Sequence, residues 1–217
     1  AAKNLTSVTL ELGGKSPTIV DETADLDLAA QNLMWGKYMN AGQTCIAPDY
    51  LFVHESVKEA FVQKAVAVIQ QRYGATPQDN AQSPDLAHIV NERHTQRLAG
   101  LLADAKQKGA KVLYGDFVNE KDHFVAPTLL ENCPADARIM KEEIFGPLLP
   151  IISYRYLGEV IKRVNADQKP LALYIFSRNE ANIENVMKNT TAGGACINHS
   201  LVHFSHGNLP FGGVNNS

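Results

Sequence analysis

The chain has 217 residues, 45% of them hydrophobic and 20% charged, which suits a globular protein long enough to bury a core without disulfides or a structural metal. Its formal net charge is −3, from 20 basic and 23 acidic residues, and no basic stripe interrupts the mixture, which argues against nucleic acid or anionic lipid as a partner. No apolar run reaches the roughly 18 residues of a membrane span, and the start lacks the pattern of a signal peptide.

Strand and helix signals alternate from end to end. Residues 8–12 and 18–20 are short β-prone runs separated by the breaker Gly13-Gly14-Lys15-Ser16-Pro17. Asp25 or Asp27 can cap a helix that carries Leu28, Leu33, Trp35 and Met39 and stops near Gly42. Residues 51–53 read as a buried strand. Residues 56–73 form the clearest helix, with Val57, Phe61, Val62, Ala65 and Ile69 at helical spacing and Gly74 to end it. A polar loop over 76–84 precedes a helix over 91–108, closed by Gly109, and a strand over 111–114. The second half offers strand signals at 124–126, 148–153, 171–176 and 195–198, with helices over 157–166 and 180–188 between them. Such alternation predicts an α/β fold with a doubly wound, largely parallel sheet and helices on both faces. The opening Ala1-Ala2-Lys3-Asn4, without an initiator Met, and the stop soon after a Pro-Phe-Gly-Gly turn read as a piece of a longer protein.

Four segments could carry chemistry. Cys45 lies in Asn40-Ala41-Gly42-Gln43-Thr44-Cys45, a small-residue turn between a helix end and a strand. That setting offers a thiol access to a ligand, although most lone cysteines are simply small buried hydrophobes. Glu11 stands between Leu10 and Leu12; buried there it would suit a general base, and at an edge it would simply reach water. Gly13-Gly14-Lys15-Ser16 is not a phosphate loop, because the pattern requires glycine where Thr9 stands and Pro17 follows at once. Glu142-Glu143-Ile144-Phe145-Gly146-Pro147 combines carboxylates that could accept sugar hydroxyls with a ring that could pack on a flat ligand; it could equally be a surface acid pair before a turn. Asn208 to Gly213 is an apolar loop with paired glycines. His199, His203 and His206 match no zinc spacing and read as packing or surface residues. Cys45, Cys133 and Cys196 are far apart with no CxxC, so neither a disulfide framework nor a zinc cluster is expected, and a reducing, cytoplasmic setting fits.

Together these segments resemble the aldehyde dehydrogenase superfamily. Leu10 to Pro17 resembles its glutamate motif, Gly42-Gln43-Thr44-Cys45 its cysteine motif, Glu142 to Pro147 its nicotinamide-side motif, and Pro210 to Gly213 its C-terminal loop motif. Ala47-Pro48-Asp49-Tyr50 and Lys169-Pro170-Leu171-Ala172-Leu173-Tyr174 look most like the class 3 or fatty-aldehyde branch. The resemblance implies a catalytic domain over residues 1–217 that oxidises a small-molecule aldehyde to an acid with NAD or NADP. In it Cys45 would be the nucleophile and Glu11 the general base, with Glu143, Phe145, Leu12 and Gly13 on the cofactor. Asn198 and His203 would line the substrate site. Because Glu11 is present, hydrolysis is expected rather than acyl transfer to coenzyme A.

The family's Gly-rich dinucleotide turn, its phosphate- and ribose-binding lysine region and its oxyanion asparagine lie upstream of the glutamate motif, and no GxGxxG occurs here. The cofactor-binding and oligomerisation parts are thus expected outside this chain, with a homo-oligomer at full length and poor activity for these residues alone. Asn215 stands where the family pattern has glycine. Two other readings remain open at this point: a cysteine-dependent esterase or acyl-transfer domain working without nicotinamide, and a non-catalytic structural fragment.

Overall fold

Consecutive strand residues are apolar in this protein because both faces of its sheet are covered. In the computed structural model, which describes the backbone of residues 1–217 and every side chain but that of Ala2, the strands are β1 (Ser16–Val20), β2 (Pro48–His54), β3 (Lys111–Tyr114), β4 (Val118–Asn119), β5 (Phe124–Val125), β6 (Thr128–Glu131), β7 (Leu148–Tyr154), β8 (Ala172–Phe176) and β9 (Gly194–Ile197). Seven of them form one sheet in the order β3-β6-β7-β2-β1-β8-β9. All neighbours in it are parallel except the edge pair β3–β6; β4 and β5 make a separate small hairpin.

The helices are α1 (Leu26–Tyr38), α2 (Lys58–Tyr73), α3 (Pro77–Asn80), α4 (Glu92–Gln107), α5 (Arg138–Lys141), α6 (Leu157–Ala166) and α7 (Glu180–Asn189). Alternate strand residues feed two cores. Val20, Leu51, Val53, Tyr174 and Phe176 pack with α1 and α2 on one face. Ile19, Phe52, Leu173 and Ile175 pack with α4, α6 and α7 on the other. The sheet is therefore doubly wound and largely parallel, as the alternation of signals implies.

The caps are where the sequence puts them. The Asp25 carboxylate accepts the Leu28 N–H at 3.2 Å to start α1, Asn91 does the same for His94 at 3.0 Å to start α4, and Gly74 closes α2 at a φ of 120°. Three expectations need correction. Residues 8–12 join no ladder: the pairing of β1 with its neighbours begins only at Ser16 and Thr18, beyond the end of the sheet, so Leu10 stays 70% exposed. The loop expected over 76–84 contains α3, nucleated by Pro77 and a Thr76–Asp79 capping box. Strand β6, not anticipated, joins β3 to β7 and carries the sheet to its antiparallel edge. Among the described residues no helix is long and apolar enough to cross a membrane.

Candidate active site

The glutamate, cysteine and nicotinamide-side segments precede β1, β2 and β7, and those strands are parallel neighbours in the sheet. The segments therefore meet at the amino ends of the strands, opposite to the carboxyl-end crevice where open α/β sheets commonly bind ligands. Cys45 sits, partly exposed, on the turn between the 3-10 turn Met39–Gly42 and β2. Its thiol is pushed above the usual cysteine range, first by burial and further by the negative charges of Glu143 and Glu11; the N–H groups of Cys45 and Ile46 oppose the shift. The carboxyl end of α1, which leads into this turn, adds no stabilisation for an anion. A thiolate here needs a base.

The three segments are fastened to one another by residues that the motifs name only in passing. The Lys15 ammonium is paired with the Asp49 carboxylate and donates to the carbonyl oxygens of Ile139 and Glu142, each at 2.9 Å. The other Asp49 oxygen accepts the Ile144 N–H at 2.8 Å. Lys15 belongs to the glutamate segment, Asp49 follows the cysteine and Ile144 follows Glu143, so one ion pair joins all three. From α4, the Arg97 guanidinium donates to the carbonyls of Glu143, Ile144 and Phe145 at 3.3, 2.6 and 3.4 Å. It thereby secures the left-handed backbone of Phe145, whose φ of 45° is costly for an aromatic residue. Gly42 touches Gly146 so closely that a Cβ would lie 2.3 Å from the Gly146 carbonyl oxygen.

Glu143 itself is turned toward the glutamate segment. Its carboxylate lies where a Gly13 Cβ would stand, at 2.4 Å, and it accepts the Gly14 N–H. Burial raises its pKa against that hydrogen bond. A cleft of about 590 Å³ opens beside it, lined in part by Gly13, Gly14, Lys15 and Lys169. Phe145 is 40% exposed, and Leu12 lies exposed in the segment before β1. Glu11 is exposed and lacks the apolar enclosure that its two leucines suggest, because Leu10 and Leu12 also face outward. Its charge nevertheless reaches the Cys45 thiol.

Lys37, in the last turn of α1, is buried near the same group, a position its apolar neighbours in the sequence do not advertise. Burial lowers its pKa to about 8, while the negative charges of Asp49 and Glu143 limit the fall. Between about 8 and the ordinary value of 10.5 the unfolded chain binds this proton and the folded chain does not, so stability gained from Lys37 rises with pH over that window. Relative to Lys37→Met, the native protein is expected to gain about 3 kcal/mol between those limits. Urea unfolding of both proteins at each pH measures the difference.

His203 is buried, with its Nδ1 3.2 Å from the Cys196 sulfur and its ring 6.0 Å from that of Tyr174. Asn198 follows β9. Its Oδ1 accepts the Ser177 N–H at 2.9 Å and its Nδ2 donates to the Ser177 carbonyl at 3.0 Å. Both amide functions bond to the backbone of Ser177, so the side chain ties β8 to β9. The paired glycines of the C-terminal loop have a packing reason: Gly212 lies directly on Gly193, with room for no Cβ between them. Asn215 takes the left-handed backbone that glycine would, at a φ of 59°.

A doubly wound, largely parallel sheet thus carries a cysteine turn, a carboxylate-bearing segment and an acid-aromatic turn at its amino ends, an α/β architecture. The chain belongs to the aldehyde dehydrogenase family, whose model matches residues 1–217. It is 46% identical over 214 residues to the aldehyde dehydrogenase family 3 member A2 of Mus musculus, covering 99% of this chain and 43% of that protein. It is 44% identical over 217 residues to the dimeric NADP-preferring aldehyde dehydrogenase of Canis lupus familiaris, covering 100% of this chain and 46% of that one. The solved substrate-bound state of Staphylococcus aureus AldH superimposes with a TM-score of 0.92 at 44% identity, over 98% of this chain and 45% of that chain. The chain thus spans about half the length of the curated relatives it matches.

Proposed function

We propose that residues 1–217 are the catalytic domain of a class 3-like aldehyde dehydrogenase, which oxidises an aldehyde to a carboxylic acid with NAD or NADP as hydride acceptor. The single observation that supports this reading is that the segments bearing Glu11, Cys45 and Glu143 precede the neighbouring parallel strands β1, β2 and β7 and so share the amino ends of the sheet.

The Cys45 sulfur attacks the aldehyde carbonyl carbon, and the thiol proton passes to a carboxylate or to solvent; a C–S bond forms and a thiohemiacetal results. A bound nicotinamide would supply the hydride acceptor for this oxidation, after which Cys45 holds the acyl group as a thioester. Glu11, exposed and unencumbered, takes a proton from the water that then cleaves the C–S bond. The residues present fit the nicotinamide-ribose end of the cofactor: a carboxylate pair of acceptors on Glu143, the exposed Phe145 ring, and bare backbone at Gly13 and Gly14. Leu12 borders the same region, and His203 is our candidate on the substrate side.

The cofactor-binding and oligomerisation parts belong, in this reading, outside residues 1–217, and the full-length protein assembles as a homo-oligomer. Three free cysteines favour a reducing compartment such as the cytoplasm. The test is aldehyde-dependent formation of reduced nicotinamide by the full-length protein, run beside hydrolysis of an activated ester without cofactor. Aldehyde oxidation that requires NAD or NADP supports the reading; ester hydrolysis with no aldehyde oxidation would replace it with a simple acyl-transfer domain.

A further inference from the structure

The turn that carries Cys45 rests on a buried phenol from another strand. Tyr174, in the middle of β8, is fully buried and donates its hydroxyl hydrogen to the Ile46 carbonyl oxygen at 2.7 Å. Ala47 N–H donates to the Thr44 carbonyl at 3.0 Å. The peptide unit joining Ile46 to Ala47 is therefore held at both poles, its oxygen by Tyr174 and its N–H by Thr44. That unit anchors Ile46 on its carboxyl side, one bond rotation from the Cys45–Ile46 peptide whose N–H, with that of Cys45, favours the thiolate.

These two N–H groups are what favours a thiolate at this position. Against it stand burial and two carboxylates, Glu143 from the segment before β7 and Glu11 from the segment before β1. From β8 the facing group is Tyr174, and behind it lie Cys196 and His203 of the neighbouring strand and loop. Burial keeps the Tyr174 phenol protonated far into the alkaline range, so it remains a donor wherever Cys45 titrates.

We propose that Tyr174 is a positioning residue for the nucleophile: its hydroxyl holds the Ile46 carbonyl so that the Ile46 N–H remains aimed at the Cys45 sulfur. This rests on the assignment of Cys45 as nucleophile. It adds to that assignment a residue 129 positions away that belongs to none of the four motifs.

Tyr174→Phe removes one oxygen and keeps the ring in the core. The experiment is the rate of alkylation of each cysteine by iodoacetamide across pH, read by peptide mass spectrometry in the native chain and the variant. The Cys45 profile is expected to move to higher pH by up to about one unit, which makes its alkylation several-fold slower at neutral pH, while Cys133 keeps its rate. An unchanged Cys45 profile overturns the proposal, and so does faster reaction at all three cysteines, which would mark Tyr174 as a general support of the core. If Cys45 is no faster than Cys133 and Cys196 in the native chain, the nucleophile assignment fails and takes this proposal with it. Should the variant not fold, the Tyr174 hydroxyl proton in the native chain still decides: slow exchange with water is expected of a buried, bonded donor, and exchange too fast to detect overturns the proposal.

Discussion

Cys45→Ala is expected to abolish aldehyde oxidation by the full-length protein, with a loss on the order of 10⁴-fold or more and no change in secondary structure. No other thiol can take over. Cys133 is half-buried and its pKa is pushed up to about 11 by burial, which leaves almost no thiolate near neutrality. Cys196 is buried in β9 against His203, and burial raises its thiol too. Cys45 alone combines partial exposure with two backbone N–H groups on its sulfur and carboxylates beside it. Turnover of the nicotinamide cofactor and circular dichroism check the two halves of the expectation. Retained oxidation would remove Cys45 from the mechanism.

The second large effect is on stability. Asp49→Ala is expected to cost about 3–5 kcal/mol, because it leaves the Lys15 ammonium and the Ile144 N–H without their shared partner in a poorly solvated place. The Asp49 side chain is 4% exposed and that of Lys15 18%, so water replaces little of what is lost. Lys15→Met combined with Asp49→Leu is expected to recover part of that stability, since the uncompensated ammonium is gone while the Ile144 N–H stays unpaired. The same double variant should still bind the nicotinamide cofactor poorly, because Ile144 no longer fixes the segment that carries Glu143. Urea unfolding separates the single from the double variant. Cofactor titration separates stability from positioning.

The fold was largely legible in the residues. Continuous apolar runs such as Leu171 to Phe176, short and bounded by Pro170 and Ser177, suit strands covered on both faces, and Asp25, Gly74 and Asn91 mark helix ends by local chemistry alone. The run at 8–12 misled because β propensity says nothing about whether a neighbouring strand reaches that far. The residues that join the site were harder to see. Lys15, Asp49, Arg97 and Tyr174 act through partners 34 to 128 positions away, and no periodicity or spacing registers such pairs. Two of them do lie in strings the sequence singles out, Asp49 after the cysteine and Tyr174 at the end of Lys169 to Tyr174. Those strings mark a branch of the family without saying what their polar groups touch. Asn198 shows the converse: a polar residue after a strand near a suspected loop is as well explained by a backbone tie as by a substrate.

The measurement that bears most directly on this account is the place and lifetime of an acyl group delivered by p-nitrophenyl acetate, read by peptide mass spectrometry in the native chain and in Glu11→Gln. Transfer of the acetyl group to sulfur with release of p-nitrophenolate needs no cofactor, so the thiol is tested alone. The account predicts acetylation of Cys45 with Cys133 and Cys196 unmodified, and an acetyl group that persists longer when Glu11 is replaced. Acetylation spread over the three cysteines, or a Cys45 adduct that clears equally fast without Glu11, would contradict it.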